Sequence, residues 1–154
     1  REPGPWGFSF YGFGECLPNP ENFIELDPTV KDKWGIPALR IHCRWRENER
    51  ALLQDMSVTA AEMLEAAGAT DIGSFVEDNP PGLTIHEMGT ARMGSSPKES
   101  VLNSHNQVWG ATNVFCTDGA AMVSSGCQNP SLTYMALTAR AADFAVSEMK
   151  KGNI

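Results

Sequence analysis

His86 and Asn129 are the residues whose type and surroundings go furthest toward chemistry. His86 follows Leu83-Thr84-Ile85, which reads as extended, and precedes Glu87-Met88-Gly89-Thr90-Ala91-Arg92-Met93-Gly94, where two glycines allow close backbone approach. A neutral imidazole at that position could take a proton from a hydroxyl group, the usual work of a histidine general base. Taken alone, a histidine before a glycine turn is more often structural than catalytic. Asn129 stands in Gln128-Asn129-Pro130-Ser131-Leu132-Thr133, where a long apolar-periodic run begins. Its amide brings both a donor and an acceptor. A helix starting there would also present free N–H groups and the positive end of its dipole to a developing negative charge. The simpler reading is a cap: Asn is a strong N-cap and Pro is favoured at N1. On the residues alone, the cap is the better account.

Other candidates are weaker. His42 falls on the charged face of a presumed strand, a surface position, and His105 lies in the turn-like Asn103-Ser104-His105-Asn106, where it reads as solvated. Cys16, Cys43, Cys116 and Cys127 are scattered, with no C-x-x-C spacing, so buried reduced thiols are expected rather than a zinc site. No H-x-x-x-H pair fixes a coordination geometry either, and no metal is expected. The net charge of -7 argues against nucleic acid, and the adjacent basic pair Lys150-Lys151 reads as the last turn of a helix. No apolar run approaches the ~20 residues of a membrane helix. The chain is expected to be soluble, cytoplasmic or periplasmic, with the compartment undetermined.

The elements that must position these residues fall into three regions. With 154 residues, 42% hydrophobic and 20% charged, the chain has the size and composition of one globular domain with its own core. Residues 1–47 hold two extended stretches, Phe23-Ile24-Glu25-Leu26 and Ala38 to Trp45. In the second, Leu39, Ile41, Cys43 and Trp45 alternate with Arg40, His42, Arg44 and Arg46, the pattern of a strand with one buried face. Turn residues lie between them at Asp27-Pro28 and Trp34-Gly35-Ile36-Pro37, which predicts an antiparallel pair. Residues 48–68 read as a helix, with Leu52, Met56, Ala60, Met63, Leu64 and Ala67 at helical spacing and Gly68 ending it. An apolar piece, Ile72 to Val76, precedes the breaker Asn79-Pro80-Pro81-Gly82. Further on, Asn113-Val114-Phe115-Cys116-Thr117 reads as a short buried strand. A long helix then runs from Pro130, with Leu132, Met135, Ala136, Ala139, Ala142, Val146 and Met149 on one face.

Several separate motifs follow one another in an order that carries more weight than any one of them. They are His86-x-x-Gly89-Thr90-x-Arg92-Met93-Gly94, Val101-Leu102, Val108-Trp109-Gly110, Asn113-Val114-Phe115, Asp118-Gly119-Ala120 and Asn129-Pro130-x-x-Thr133. This run resembles the C-terminal part of the glucose–methanol–choline (GMC) family of FAD-dependent oxidoreductases. The resemblance is detailed over roughly the last seventy residues. It is looser before that, where Pro18-Asn19-Pro20-Glu21-Asn22 and Lys31-Asp32-x-Trp34-Gly35-Ile36-Pro37 look like the family's substrate-side sheet.

The resemblance implies an α+β fold: a mainly antiparallel substrate-side sheet flanked by helices, with a C-terminal strand and long helix that would complete an FAD-binding domain. It implies that His86 and Asn129 are catalytic, of the family's His–Asn type, and act on an alcohol or carbohydrate CH–OH group with FAD as cofactor. Asp118 and Gly119 match the segment meeting the ribityl–pyrophosphate portion of FAD. Asn129, Pro130 and Thr133 match the start of the helix beside the flavin. Two departures stand against it. Ala91 replaces a frequent Cys, and no G-x-G-x-x-G unit is present, Gly12-Phe13-Gly14 lacking the third glycine and a following helix. Residues 1–154 are therefore expected to form the C-terminal domain, with the N-terminal FAD-binding domain as a missing partner. The opening Arg1-Glu2-Pro3-Gly4, without initiator Met or signal pattern, agrees with a piece of something longer. The alternative is a non-catalytic domain of the same fold that binds carbohydrate or protein.

Overall fold

Alternation of apolar and charged residues produces the first element pair. In the computed structural model, which describes residues 3–76, 79–83 and 85–154, β1 (Phe23–Lys31) pairs antiparallel with β2 (Pro37–His42). The register sets Ile24 opposite Ile41 and Leu26 opposite Leu39, while Phe23 meets His42 and Glu25 meets Arg40. Asp27 does not end the strand as its turn chemistry suggests; it sits at a register irregularity inside it. Its Oδ1 accepts the N–H groups of Thr29 and Val30 at 2.8 and 2.9 Å, and its Oδ2 accepts the Arg40 guanidinium at 2.6 and 3.0 Å. The Val30 and Thr29 amides, helped by the Thr29 hydroxyl and Arg40, hold its carboxyl well below the usual aspartate range.

The expected buried face of this ribbon is not buried. Leu39 is 56% exposed and Ile41 66%. The charged face is the better satisfied of the two: His42 stacks on Phe23 with ring centroids 4.3 Å apart, and its Nε2 lies 2.9 Å from Glu25.

Helix α1 (Glu47–Ala66) follows the predicted span closely. Buried Glu49 accepts the Arg46 N–H at 2.9 Å and, from the N-terminal arm, the Leu17 N–H at 3.3 Å. Burial opposes its charge, but the Arg46, Glu49 and Leu17 N–H groups together hold its pKa below the ordinary glutamate value. At the other end Gly68, at φ +82°, donates to Glu65, and Ala69 donates to Leu64, the double bond of a Schellman cap.

A second antiparallel ribbon joins β3 (Gln107–Val108) to β4 (Ala111–Phe115). The strand expected at 113–117 thus begins and ends two residues earlier, and Val114 is exposed rather than buried. The two ribbons are separate antiparallel sheets, and with the two helices they make an α+β fold of the class expected. Helix α2 (Ser131–Lys151) closes the chain, with Lys150 and Lys151 in its last turn as predicted.

The apolar face of α2 read from the sequence is the outer one in this chain, with Leu132 78% and Met135 68% exposed. The packed stripe is Tyr134, Leu137, Ala141, Phe144 and Ala145. A helix apolar on opposite sides is one made to lie between two layers. His105 is not solvated: its ring stacks on Phe144 at 4.0 Å, and Phe115 meets the same ring edge-on. All four thiols are free, but Cys16 and Cys127 are exposed rather than buried.

The core is correspondingly small. Among the described residues the buried apolar side chains are Leu102, Ala121 and Ala141. The chain exposes 11837 Å², where a folded monomer of its 16.7 kDa mass would expose about 7,600 Å². The expectation of a domain burying a core of its own is not met: half as much surface again is left uncovered. No helix is long and apolar enough to cross a membrane among the described residues.

Candidate active site

The segment after His86 is held by backbone bonds rather than by a regular sheet. The N–H groups of Gly89, Ala91 and Met93 donate to the carbonyls of Gly119, Ala120 and Ala121 at 3.2, 2.9 and 2.9 Å. The acceptors belong to a short 3-10 turn, Gly119–Ala121, whose start is capped by Asp118 through the Ala120 N–H at 2.9 Å. Gly89 takes a positive φ of +84°, and a Cβ there would lie 3.2 Å from the Val123 carbonyl. The extended reading of Leu83-Thr84-Ile85 includes Thr84, which lies outside the described residues.

At Gly119 the reason for glycine is steric. An added Cβ would lie 2.6 Å from the Glu87 carbonyl, 2.8 Å from the Tyr134 hydroxyl and 3.1 Å from the Met88 sulfur. Three segments therefore converge on one bare Cα: the arm beyond His86, the 3-10 turn, and the second turn of α2. The Tyr134 hydroxyl donates to Met88 Sδ at 3.5 Å. Burial, with the charges of Asp118 and Glu87, pushes that phenol above its ordinary pKa, so it remains a donor through neutral pH.

α2 is anchored further along by a buried polar knot. Asn106, fully buried at φ +63°, donates through Nδ2 to the Cys116 carbonyl at 2.9 Å and accepts Arg140 Nη2 at 3.1 Å. Arg140 thereby ties the helix to the turn that leads into β3. None of Tyr134, Met88, Asn106 and Arg140 was singled out from the sequence. The available signal was the second stripe on α2, Tyr134, Leu137, Ala141 and Phe144, at three- and four-residue spacing.

His86 and Asn129, 43 positions apart, meet on this frame: Nε2 lies 2.9 Å from Asn129 Oδ1. An amide oxygen only accepts, so in this arrangement the Nε2 nitrogen carries the hydrogen. Turning the amide over would instead offer Nδ2 as a donor to a bare Nε2 or to a third oxygen atom. Asn129 does not cap the helix. The N-cap is Pro130, no side chain caps it, and the first turn carries no acidic residue. The amide expected to compete between capping and chemistry is thus directed at the imidazole. Asn129 and Thr133 are exposed, His86 is partly so, and Pro130 is buried. Asp118 is an exposed residue whose carboxylate also accepts the Cys116 thiol at 3.4 Å. Burial, together with Asp118, pushes that thiol up.

Two open clefts lie elsewhere. One of about 390 Å³ is lined by Phe23, Ile41, His42 and Arg44 among others, and one of about 430 Å³ by Trp45, Arg50 and Pro80 among others. Neither is lined by His86 or Asn129.

Comparison with known proteins gives the family of the chain. The family model described as GMC oxidoreductase matches residues 18–138, and the chain belongs to that family. It is similar to 2-methyl-1,2-propanediol dehydrogenase of Mycolicibacterium austroafricanum, with 42% identity over 86% of this chain and 24% of that protein. It is also similar to the fructose dehydrogenase large subunit of Gluconobacter japonicus, 31% identical over 95% of this chain and 26% of that protein. C-glycoside 3-oxidase of Arthrobacter globiformis is 32% identical over 84% of this chain and 25% of its own length. The chain therefore spans about a quarter of the length of these curated relatives. Dehydrogenases and oxidases both occur among them.

Proposed function

We propose that this chain is the C-terminal, substrate-side domain of an FAD-dependent oxidoreductase that oxidises the CH–OH group of an alcohol, sugar or polyol. The observation that carries the reading is the His86–Asn129 pair, 2.9 Å apart at the uncapped start of α2, in a chain of the GMC oxidoreductase family. Relatives named for a diol and a sugar as substrates support the donor class.

Oxidising an alcohol removes a proton from oxygen and a hydride from carbon. Loss of hydride from a neutral alcohol is slow, because positive charge grows on carbon without relief. With the Asn129 amide turned over and Nε2 bare, His86 takes the hydroxyl proton as the hydride leaves. Asn129 donates its Nδ2–H to the same oxygen, restrains the oxygen, and so aims the carbon–hydrogen bond. A well-placed base contributes about 10²–10⁴-fold.

FAD, when bound, supplies the hydride acceptor at N5 and takes up negative charge at the pyrimidine edge of its ring. The residues present fit that group: the start of α2 offers a dipole end with neither an acidic residue nor a side-chain cap. Asn129, Pro130 and Thr133 would hold the ring edge there, with Asp118 and Gly119 meeting the ribityl–pyrophosphate portion. The ADP half has no G-x-G-x-x-G in this chain. An FAD-binding domain would supply that unit and would cover Leu132 and Met135 on the outer face of α2. The surface exposed beyond that of a folded monomer of this mass supports such a partner.

The test is turnover of the complete FAD-loaded enzyme, this chain joined to its FAD-binding domain, since the chain by itself is expected to be inactive. His86→Ala is expected to lower kcat about 10²–10⁴-fold with FAD content unchanged, and Asn129→Ala to lower it about 10–100-fold. Undiminished turnover in His86→Ala contradicts the reading.

A further inference from the structure

The chemistry of the pair depends on a separation that neither residue sets for itself. His86 lies two residues before Met88, on an arm whose later part is bonded to the Gly119–Ala121 turn. Asn129 lies at the start of a different element, α2. A side-chain contact joins the two close to the pair: Tyr134, one turn into α2, reaches Met88 Sδ at 3.5 Å. Gly119 lies beneath it, with room for no Cβ between the Glu87 carbonyl and the Tyr134 hydroxyl.

We propose that Tyr134 is a positioning residue: with Met88 and the bare Cα of Gly119 it clamps the His86 arm to α2, and so fixes the His86–Asn129 separation. This rests on the functional reading above, in which the pair handles the substrate hydroxyl. The clamp acts on the two elements that carry the pair. It works because each partner is two to five residues along the chain from a member of the pair, too short a tether to absorb a shift.

The geometry gives each part a different sensitivity. Tyr134→Phe keeps the ring that fills the space over Gly119 and removes only the hydroxyl donor. Met88→Leu keeps the volume and removes the sulfur acceptor. Both break the same contact. A loosened pair costs rate rather than substrate binding, because misplacement of a reacting group by about 1 Å can cost about 100-fold. A lone hydroxyl–sulfur contact allows less movement than that, and each variant is expected to lose about 3–10-fold in kcat.

The experiment measures kcat, KM, FAD content and the ¹⁵N resonance of His86 Nε2 in the FAD-loaded protein. Tyr134→Phe and Met88→Leu, singly, together, and with His86→Ala, are compared. The clamp predicts lower kcat in each single variant, unchanged KM and FAD content, and a shifted Nε2 resonance. The double variant should be no worse than either single one, since both remove one interaction. Tyr134→Phe should cost nothing further when His86 is already Ala, because Tyr134 acts through His86. Multiplicative losses in the double variant, or an equal loss with and without His86, would overturn the clamp. So would wild-type kcat and an unmoved resonance in both single variants. If instead His86→Ala keeps full turnover, the functional reading fails, and the proposal falls with it for that separate reason.

Discussion

Between Ile85 and Lys151 the chain buries Leu102, Asn106, Gln107, Gly119, Ala121, Pro130 and Ala141, whereas between Phe23 and Ala66 its buried residues are Asp27 and Glu49, both carboxylates. The first region closes on itself: a small apolar centre, a satisfied Asn106–Arg140 knot, and backbone bonds from residues 89–93 to 119–121. The second keeps its polar groups paired and turns Leu26, Leu39 and Ile41 outward. Only the self-closing region carries the His86–Asn129 pair. The difference teaches that the His86–Asn129 pair is fixed by contacts within the chain, while the β1–β2 ribbon leaves its apolar residues uncovered by this chain.

The comparison can be broken at its strongest point first. Leu102→Ala empties the centre of the C-terminal region and is expected to cost about 2–5 kcal/mol in denaturant unfolding; a loss under ~0.5 kcal/mol would mean that this region has no core of its own. Asn106→Ala leaves Arg140 and the Cys116 carbonyl without their partner and asks alanine to adopt a positive φ. A loss of about 1–3 kcal/mol is expected, read by the same measurement. Leu39→Ser on the ribbon should move stability by no more than about 0.5 kcal/mol in this chain. A cost several times larger would show that the ribbon face is covered from within.

The smallest effect is one of pH. Asp27 has a lowered folded pKa, so its contribution is fully present above the ordinary aspartate value of about 3.9 and is lost as pH falls from there toward the folded value. Acid should loosen the β1–β2 ribbon only below about pH 4, as followed by amide exchange at Thr29 and Val30. In Asp27→Asn that dependence should disappear.

Periodicity carried the elements, and contact with the rest of the molecule was where it stopped. The alternation at Leu39 to Trp45 located β2, and Gly68 located the end of α1, because both signals are local. Which face of α2 packs inside this chain was not legible. Leu132, Met135, Val146 and Met149 form a stripe as regular as Tyr134, Leu137, Ala141 and Phe144, and period alone does not rank two stripes. Pro130 was legible as a helix start but not as the cap itself, since the Asn129 amide is drawn to a histidine 43 positions away. That meeting, like the convergence on Gly119, depends on tertiary proximity, which spacing does not encode. The ordered motifs pointed to the pair only through resemblance.

The central claim is that His86 is the base that takes the substrate hydroxyl proton. Chemical rescue tests it most directly: turnover of FAD-loaded His86→Ala is measured with increasing imidazole, alongside Asn129→Ala. A missing base can be replaced from solution, so the His86 variant should regain turnover in proportion to neutral imidazole, while the Asn129 variant should not respond. Turnover of His86→Ala equal to wild type before any imidazole is added would contradict the claim, as would an equal response in both variants.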